Sequence, residues 1–261
     1  GSLYYRPIRL IRRWRSLKMS DIPTQHTIHR FDDELNEIAN LVDTMGVLAV
    51  EQLKRAVKSL KKEDPKRAHK VIERDQKLND IDVQVDEKII QLIAKRSPVA
   101  MDLRKIITLG KIVTDLERTG DEARKIAKLC IRIHESDHHA PSDHILLDIY
   151  SMSKYVNKML KVAMQSFSSL DINTAYSVLR MDEELEIQFD SMLRRLSTFI
   201  MEDSRNVGHF VDIVLGVRAL ERFGGHAKNI AGHVIFLSTA NDVRHLDADE
   251  VADLLSIQED S

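Results

Sequence analysis

One helical segment occurs twice in this chain. Leu116-Glu117-Arg118-Thr119-Gly120-Asp121-Glu122-Ala123-Arg124-Lys125-Ile126-Ala127 is answered 104 residues later by Leu220-Glu221-Arg222-Phe223-Gly224-Gly225-His226-Ala227-Lys228-Asn229-Ile230-Ala231. Both copies keep the skeleton L-E-R-x-G-x-x-A-x-x-I-A. A second set, Ala56, Leu60, Asp64, Ala68, Val71, Asp75 and Leu78, answers to Ala163, Phe167, Asp171, Ala175, Val178, Asp182 and Leu185 at an offset of 107. Repetition at this scale constrains the architecture more than any single element does. The chain is two related halves, with a small length difference between the two matched stretches.

The halves are helical. Leu109, Ile112, Val113, Leu116, Ala123, Ile126, Ala127 and Cys130 recur at steps of three and four, as do Ile213, Leu220, Ala227, Ala231, Val234 and Leu237. Glycine (9) and proline (5) are too scarce to break such stripes often. The breaks fall at Asp64-Pro65 and Ser97-Pro98, each a capping residue before a proline that suits a first helical turn. The spacing predicts six helices, over about 27–62, 65–95, 98–135, 145–169, 171–201 and 204–240. The polar stretch His134–Asp143, with Pro141, joins the halves. The expected fold is all-α: two tandem, internally repeated three-helix bundles over 19–137 and 143–241. It should be elongated, because a 30-residue helix is about 45 Å long. The acidic tail, 242–261, is expected to fray. Gly120 and Gly224, at the same place in each copy, mark close helix contact, since a mid-helix glycine costs about 1 kcal/mol against alanine.

Residues 1–18 stand apart. They hold Arg6, Arg9, Arg12, Arg13, Arg15 and Lys18 and no acid. Gly1-Ser2 resembles a cloning scar and Met19 a natural start, so the stretch reads as a tag or upstream extension, disordered or amphipathic. Its six cations are included in a formal charge of −2, so the remaining chain is distinctly acidic. That argues against nucleic acid as a partner. No apolar run reaches the roughly 18 residues of a membrane span. The lone Cys130 suits a reducing compartment and, among Ile126, Leu129 and Ile131, reads as packing. No Walker loop, dinucleotide fingerprint or nucleophile elbow is present. His134, His138, His139 and His144 crowd the linker, where solvation is the simpler reading than a metal tract.

Carboxylates carry the chemistry that remains. Asp82 and Asp86 lie at i,i+4 on the second helix, Glu117 and Asp121 on the third. Asp182, Glu186 and Asp190 follow at four-residue steps on the fifth helix, facing Glu221 on the sixth. Antiparallel neighbours would bring such acids together, and all-oxygen sites suit hard cations such as Mg²⁺, Mn²⁺ or iron. The competing reading is plain surface pairing with Arg118, Arg124 and Lys125. A carboxylate-bridged metalloenzyme or a metal-storage bundle is the alternative function. The di-iron version needs Glu-x-x-His on facing helices, and no repeated helical pair of that kind exists.

The doubled Leu-Glu-Arg-x-Gly motif at Leu116–Ala127 and Leu220–Ala231 resembles the signature of the PhoU family, with Lys95-Arg96-Ser97-Pro98 and Asp102-Leu103-Arg104 also similar. The resemblance covers Met19 to about Leu246. It implies two three-helix bundles and no enzymatic activity. It implies a cytoplasmic negative regulator of phosphate uptake and of phosphate-starvation signalling. Such a regulator acts as a metal-binding adaptor between the phosphate ABC transporter ATPase subunit and a phosphate-sensing histidine kinase, reaching the membrane only through them. It also implies metal held by E/D-x-x-x-D motifs, here Asp82–Asp86 and Glu117–Asp121 in the first bundle and Asp182–Glu186 and Glu186–Asp190 in the second. The metal could be Fe, Mn, Mg or Zn. Gly225 stands where the family has an aspartate, so Glu221 lacks its partner and the first bundle is the better site; His226 is a weaker substitute ligand. A homodimer is expected of elongated bundles with exposed apolar seams.

Overall fold

The computed structural model describes residues 25–135, 143–202 and 207–259. The basic stretch 1–18, the linker histidines His138 and His139, and the expected Asp203-Ser204 helix start lie outside the described residues. The described elements are α-helices: α1 Gln25–Lys61, α2 Pro65–Arg96, α3 Ala100–Glu135, α4 Asp143–Ser169, α5 Ile172–Glu202, α6 Val207–Thr239 and α7 Ala248–Glu259.

Local chemistry sets the boundaries. Asp64 caps α2: its carboxylate accepts from the Arg67 backbone N–H at 3.0 Å, and Pro65 opens the helix. Asp171 repeats the device 107 residues on, accepting from the Asn173 N–H at 3.0 Å. The preceding residues, Glu63 and Leu170, both take positive φ, 48° and 51°. The same turn is thus built twice. Ser97, at φ 46°, ends α2 in the left-handed region, its N–H bonding back to the Ile93 carbonyl.

Helices α1, α2 and α3 form the first bundle and α4, α5 and α6 the second; α3 packs on α6 and α1 on α4 between them. Both inter-bundle pairs are antiparallel. Arg132 meets Asp212, Glu122 meets Arg222 and Asp115 meets Asn229, so residue numbers rise on α6 as they fall on α3. The bundles therefore lie side by side and share one apolar core. The long dimension comes from helices α1 to α6, which at 27 to 37 residues reach about 40–55 Å. Gly46 lets the bundles approach at the α1–α4 seam, where a Cβ would stand 2.9 Å from the Met164 methyl.

As far as Glu259, the C-terminal segment is helical and packed where the sequence suggested fraying. Asp247 and Glu250 form a capping box, each side chain accepting the other's backbone N–H at 2.8 Å. Val243, Ala248 and Val251 are buried. Gly232 on α6 leaves room for the Val243-Arg244 chain to lie against it, and α7 packs on α5.

Candidate functional site

Gly120 presses α3 against α2: a Cβ there would collide with Leu78 and stand 2.8 Å from Asp75 Oδ1. That contact fixes the register of the two helices, with Ile89 against Gly110 further along. The acids then meet. Asp75 is 2% exposed, and among the described residues neither of its carboxylate oxygens accepts a hydrogen bond. Arg124 Nη1 lies 3.2 Å from Asp75 Oδ2, while Nη2 donates to Asp121 Oδ1 at 2.6 Å.

The electrostatics follow from crowding. Burial raises the Glu117 carboxyl above its ordinary value, and the charges of Asp121, Asp82 and Asp75 push it further. Burial likewise raises Asp82, helped by Asp86. It raises Asp75 too, against the opposing pull of Arg124. Three carboxyls held above their free values are three groups a proton or a cation would relieve.

The second bundle keeps the frame and changes the filling. A Cβ on Gly224 would collide with Leu185, the counterpart of Leu78. Asp182 is buried and pairs with Lys228 Nζ at 2.8 Å. Lys228 stands at the Arg124 position and Asp182 at the Asp75 position, so one acid–base pair is written in both halves. Glu221 is raised by burial first, with Asp182 and Glu186 adding to it. Arg218 Nε lies 3.3 Å from its Oε2. Asp190 is exposed a turn beyond Glu186. Phe189 and Leu193 occupy the positions equivalent to Asp82 and Asp86, so this bundle's acids are fewer and differently placed.

The structure thus brings Asp82, Glu117 and Asp121 together around Asp75, with Asp86 beside Asp82, and brings Asp182, Glu186 and Glu221 together. Among the described residues, no three His, Cys, Asp or Glu side chains are already gathered closely enough to hold a metal ion. Arg124 sits between two of the acids. The surface-pairing reading is therefore realised for Arg124 in this conformation. Still, the donor set suits a hard cation: it is all oxygen, and its central carboxylate is buried with its hydrogen-bonding capacity unused.

His226 is not a substitute ligand for the missing aspartate. Its Nδ1 lies 2.9 Å from Asp115 Oδ1, facing the first bundle. Asp115 is a buried hub between the bundles, also bonded to Asn229 Nδ2 at 3.1 Å and His233 Nε2 at 3.2 Å. Burial alone would raise the Asp115 carboxyl. The bonds from His226, His233 and Asn229 outweigh it and hold the carboxyl down at about 2. An ionised Asp115 only accepts, so His226 Nδ1 and His233 Nε2 are the protonated nitrogens. The hub is one-sided in the repeat: Ala219 stands at the position equivalent to Asp115, and Glu122 at that equivalent to His226. Glu122 is itself buried and meets Lys125 Nζ at 2.8 Å and Arg222 Nε at 3.4 Å. Sequence periodicity missed this network; the departure of Asp115 from its repeat was the available signal.

Among the described residues, no helix is long and apolar enough to cross a membrane. The PhoU domain model matches this chain twice, over residues 42–130 and 149–234. The chain is 36% identical over 226 residues to the phosphate-specific transport system accessory protein PhoU homolog of Pseudomonas aeruginosa, covering 87% of this chain and 92% of that one. It is 32% identical over 232 residues to the phosphate-specific transport system accessory protein PhoU of Escherichia coli K12, covering 89% and 95%. The crystal structure of PhoU from Pseudomonas aeruginosa superposes with a TM-score of 0.76 at 35% identity, covering 81% of this chain and all of that one. These relatives carry the name of a transport accessory protein and not of an enzyme. A doubled domain model and full-length relatives above 30% identity place this chain in the PhoU family.

Proposed function

We propose that the protein restrains phosphate uptake as the accessory regulator of a phosphate-specific transport system. It works as an adaptor between the transporter ATPase subunit and a phosphate-sensing histidine kinase, and it helps silence the starvation response when phosphate is plentiful. It acts in the cytoplasm, where both partners expose soluble domains, and it meets the membrane only through them. A homodimer fits its exposed apolar side chains, which include Val47, Ile187 and Val211.

Asp82, Asp86, Glu117 and Asp121, with Asp75 behind them, would hold a divalent cation in the first bundle. Asp182, Glu186 and Glu221, with Asp190 at the margin, would form a poorer site in the second. A bound ion of this kind supplies positive charge that keeps crowded carboxylates ionised. Mg²⁺, Mn²⁺ and iron suit the oxygen donors, and zinc also accepts carboxylate. The observation that carries the reading is the buried Asp75, its oxygens unused in hydrogen bonding, at the centre of an acid cluster on a fold shared with phosphate-transport accessory proteins.

Affinity purification from phosphate-replete and phosphate-starved cells tests the adaptor role. The ATPase subunit and the kinase should co-purify under replete conditions, and deleting the protein should raise phosphate uptake. Absence of both partners together with unchanged uptake would contradict it.

A further inference from the structure

The seam between α1 and α4 carries lysine from both sides. On α1, Lys54, Lys58 and Lys61 are exposed; on α4, Lys154, Lys158 and Lys161 are exposed. The two sets lie 100 residues apart and share one spacing. Each is preceded two turns earlier by an exposed apolar residue, Val47 at 52% and Leu147 at 57%. The duplication does not account for the match, because at its offset of 107 Lys58 answers to Gln165 and Lys61 to Ser168. Three contacts set the register of the seam: Gly46 against Met164, Ser168 Oγ donating to Asp43 Oδ1 at 3.2 Å, and Lys61 over Tyr150. Residue numbers rise on α4 as they fall on α1, which sets Lys54 level with Lys158 and Lys58 level with Lys154, within a residue. Lys61 Nζ and Lys154 Nζ both approach the Tyr150 ring, at 4.6 and 4.4 Å from its centre. The two rows therefore share one surface. Two other acids occur in these stretches and both are taken, Glu51 by Arg55 at 2.9 Å and Asp148 by Arg195 at 3.1 Å. Among the described residues, no carboxylate pairs with any of the six lysines.

We propose that the α1–α4 face seats the protein directly on an anionic lipid surface, with the six lysines against the headgroups and Val47 and Leu147 entering the interface at the two ends. The antiparallel register puts those two apolar residues at opposite ends of a patch about 25 Å long. Charge complementarity selects the occupant. Basic clusters of this size draw in acidic headgroups, and each lysine near the surface adds to the attraction. Two ammonium groups crowded on one ring repel each other, and an anion relieves them. Lysine is depleted at protein–protein interfaces, whereas its long stem lets the charge reach a headgroup while the carbons lie on apolar surface. Two rods side by side present a broad face rather than a groove for one helix. A second copy on this face would set lysine against lysine across a twofold axis, which leaves Ile187 and Val211 for a dimer contact. The acid clusters lie on α2–α3 and α5–α6, away from the lysine rows. The proposal goes beyond the adaptor reading, in which partners bring the protein to the membrane, by adding a lipid contact of its own.

The purified full chain is sedimented with vesicles of phosphatidylcholine alone and of phosphatidylcholine with phosphatidylglycerol. Chelator is present throughout, so that no cation bridges the acid clusters to lipid. The protein should bind only the phosphatidylglycerol vesicles, and added salt should release it. Lys54→Gln with Lys158→Gln should weaken partitioning about twentyfold. Lys111→Gln with Lys128→Gln removes the same charge from α3 and should weaken it by no more than about twofold. Arg12→Gln with Arg13→Gln and Arg15→Gln separates this face from the basic N-terminal stretch and should leave most of the binding. Three results would overturn the proposal: no binding to phosphatidylglycerol at low salt, equal losses from the α1–α4 and α3 variants, or a loss confined to the arginine variant. Labelled poly-glutamate and a ribo-oligonucleotide are titrated in parallel. If either binds and weakens with Lys54→Gln and Lys158→Gln while vesicles do not bind, the face belongs to an acidic protein or a nucleic acid and the proposal falls. Neither the ATPase nor the kinase is present, so the adaptor reading stands or falls separately.

Discussion

Asp115→Ala should lower the melting temperature by about 10 °C. The substitution leaves His226, Asn229 and His233 without their acceptor in a buried interface. Removing one member of a buried polar cluster costs about 3–5 kcal/mol, most of it the desolvation of the groups left behind. For a chain of this size each kcal/mol is worth about 2–4 °C. The pH dependence gives the sign. Asp115 is held below its ordinary 3.8, at about 2. A depressed carboxyl contributes stability that is complete above 3.8 and is lost as the pH falls through 3.8 towards about 2. Wild type and variant should therefore differ most at neutral pH, with the gap narrowing as the pH falls below 3.8 and smallest at pH about 2. Denaturant melts at the two pH values check this. Loss of cooperativity would place the damage at the joint between the bundles.

Gly224→Val should destabilise the protein by about 2 kcal/mol, or roughly 5 °C. A Cβ collides with Leu185, while Val156 Cγ1 at 3.3 Å and Met159 Sδ at 3.4 Å close the remaining directions. Overpacking typically costs about 1–3 kcal/mol, and valine's helix propensity recovers only a few tenths of that. The neighbouring glycine supplies the contrast. Nothing lies within 4 Å of a Cβ at Gly225, so Gly225→Ala should stabilise by up to about 1 kcal/mol. Opposite signs at adjacent residues would be hard to produce by any general effect on the helix. Thermal melts of both variants decide it.

These two cases also show what the sequence could and could not reveal. The six long helices were readable to within a few residues because caps at Asp64 and Asp171 and prolines at Pro65 and Pro98 punctuate an otherwise unbroken apolar period. Gly120 and Gly224 were readable as close contacts because they recur inside the stripes. The acids of the first bundle were readable because i,i+4 spacing survives into three dimensions once the register is fixed. Asp115 was not. It flanks the apolar stripe on the side opposite Glu117, and periodicity does not distinguish a flank facing water from one facing a second bundle. The same blindness hid the segment after α6, whose Val243 and, on α7, Ala248 and Val251 acquire a core only because α6 and α5 supply a surface. The partner of Asp75 needed the structure as well: Arg124 was a candidate for any of several acids, and only the fold assigns it to Asp75 and Asp121.

Metal analysis of protein purified without chelator tests the central claim most directly. Wild type is compared with the double variant Glu117→Ala, Asp121→Ala and with its second-bundle counterpart Glu186→Ala, Glu221→Ala. The account predicts a divalent cation in the wild type, most of it lost from the first-bundle variant with helicity unchanged, and a smaller loss from the second. A metal-free wild type, or the same metal content in all three proteins, would contradict it.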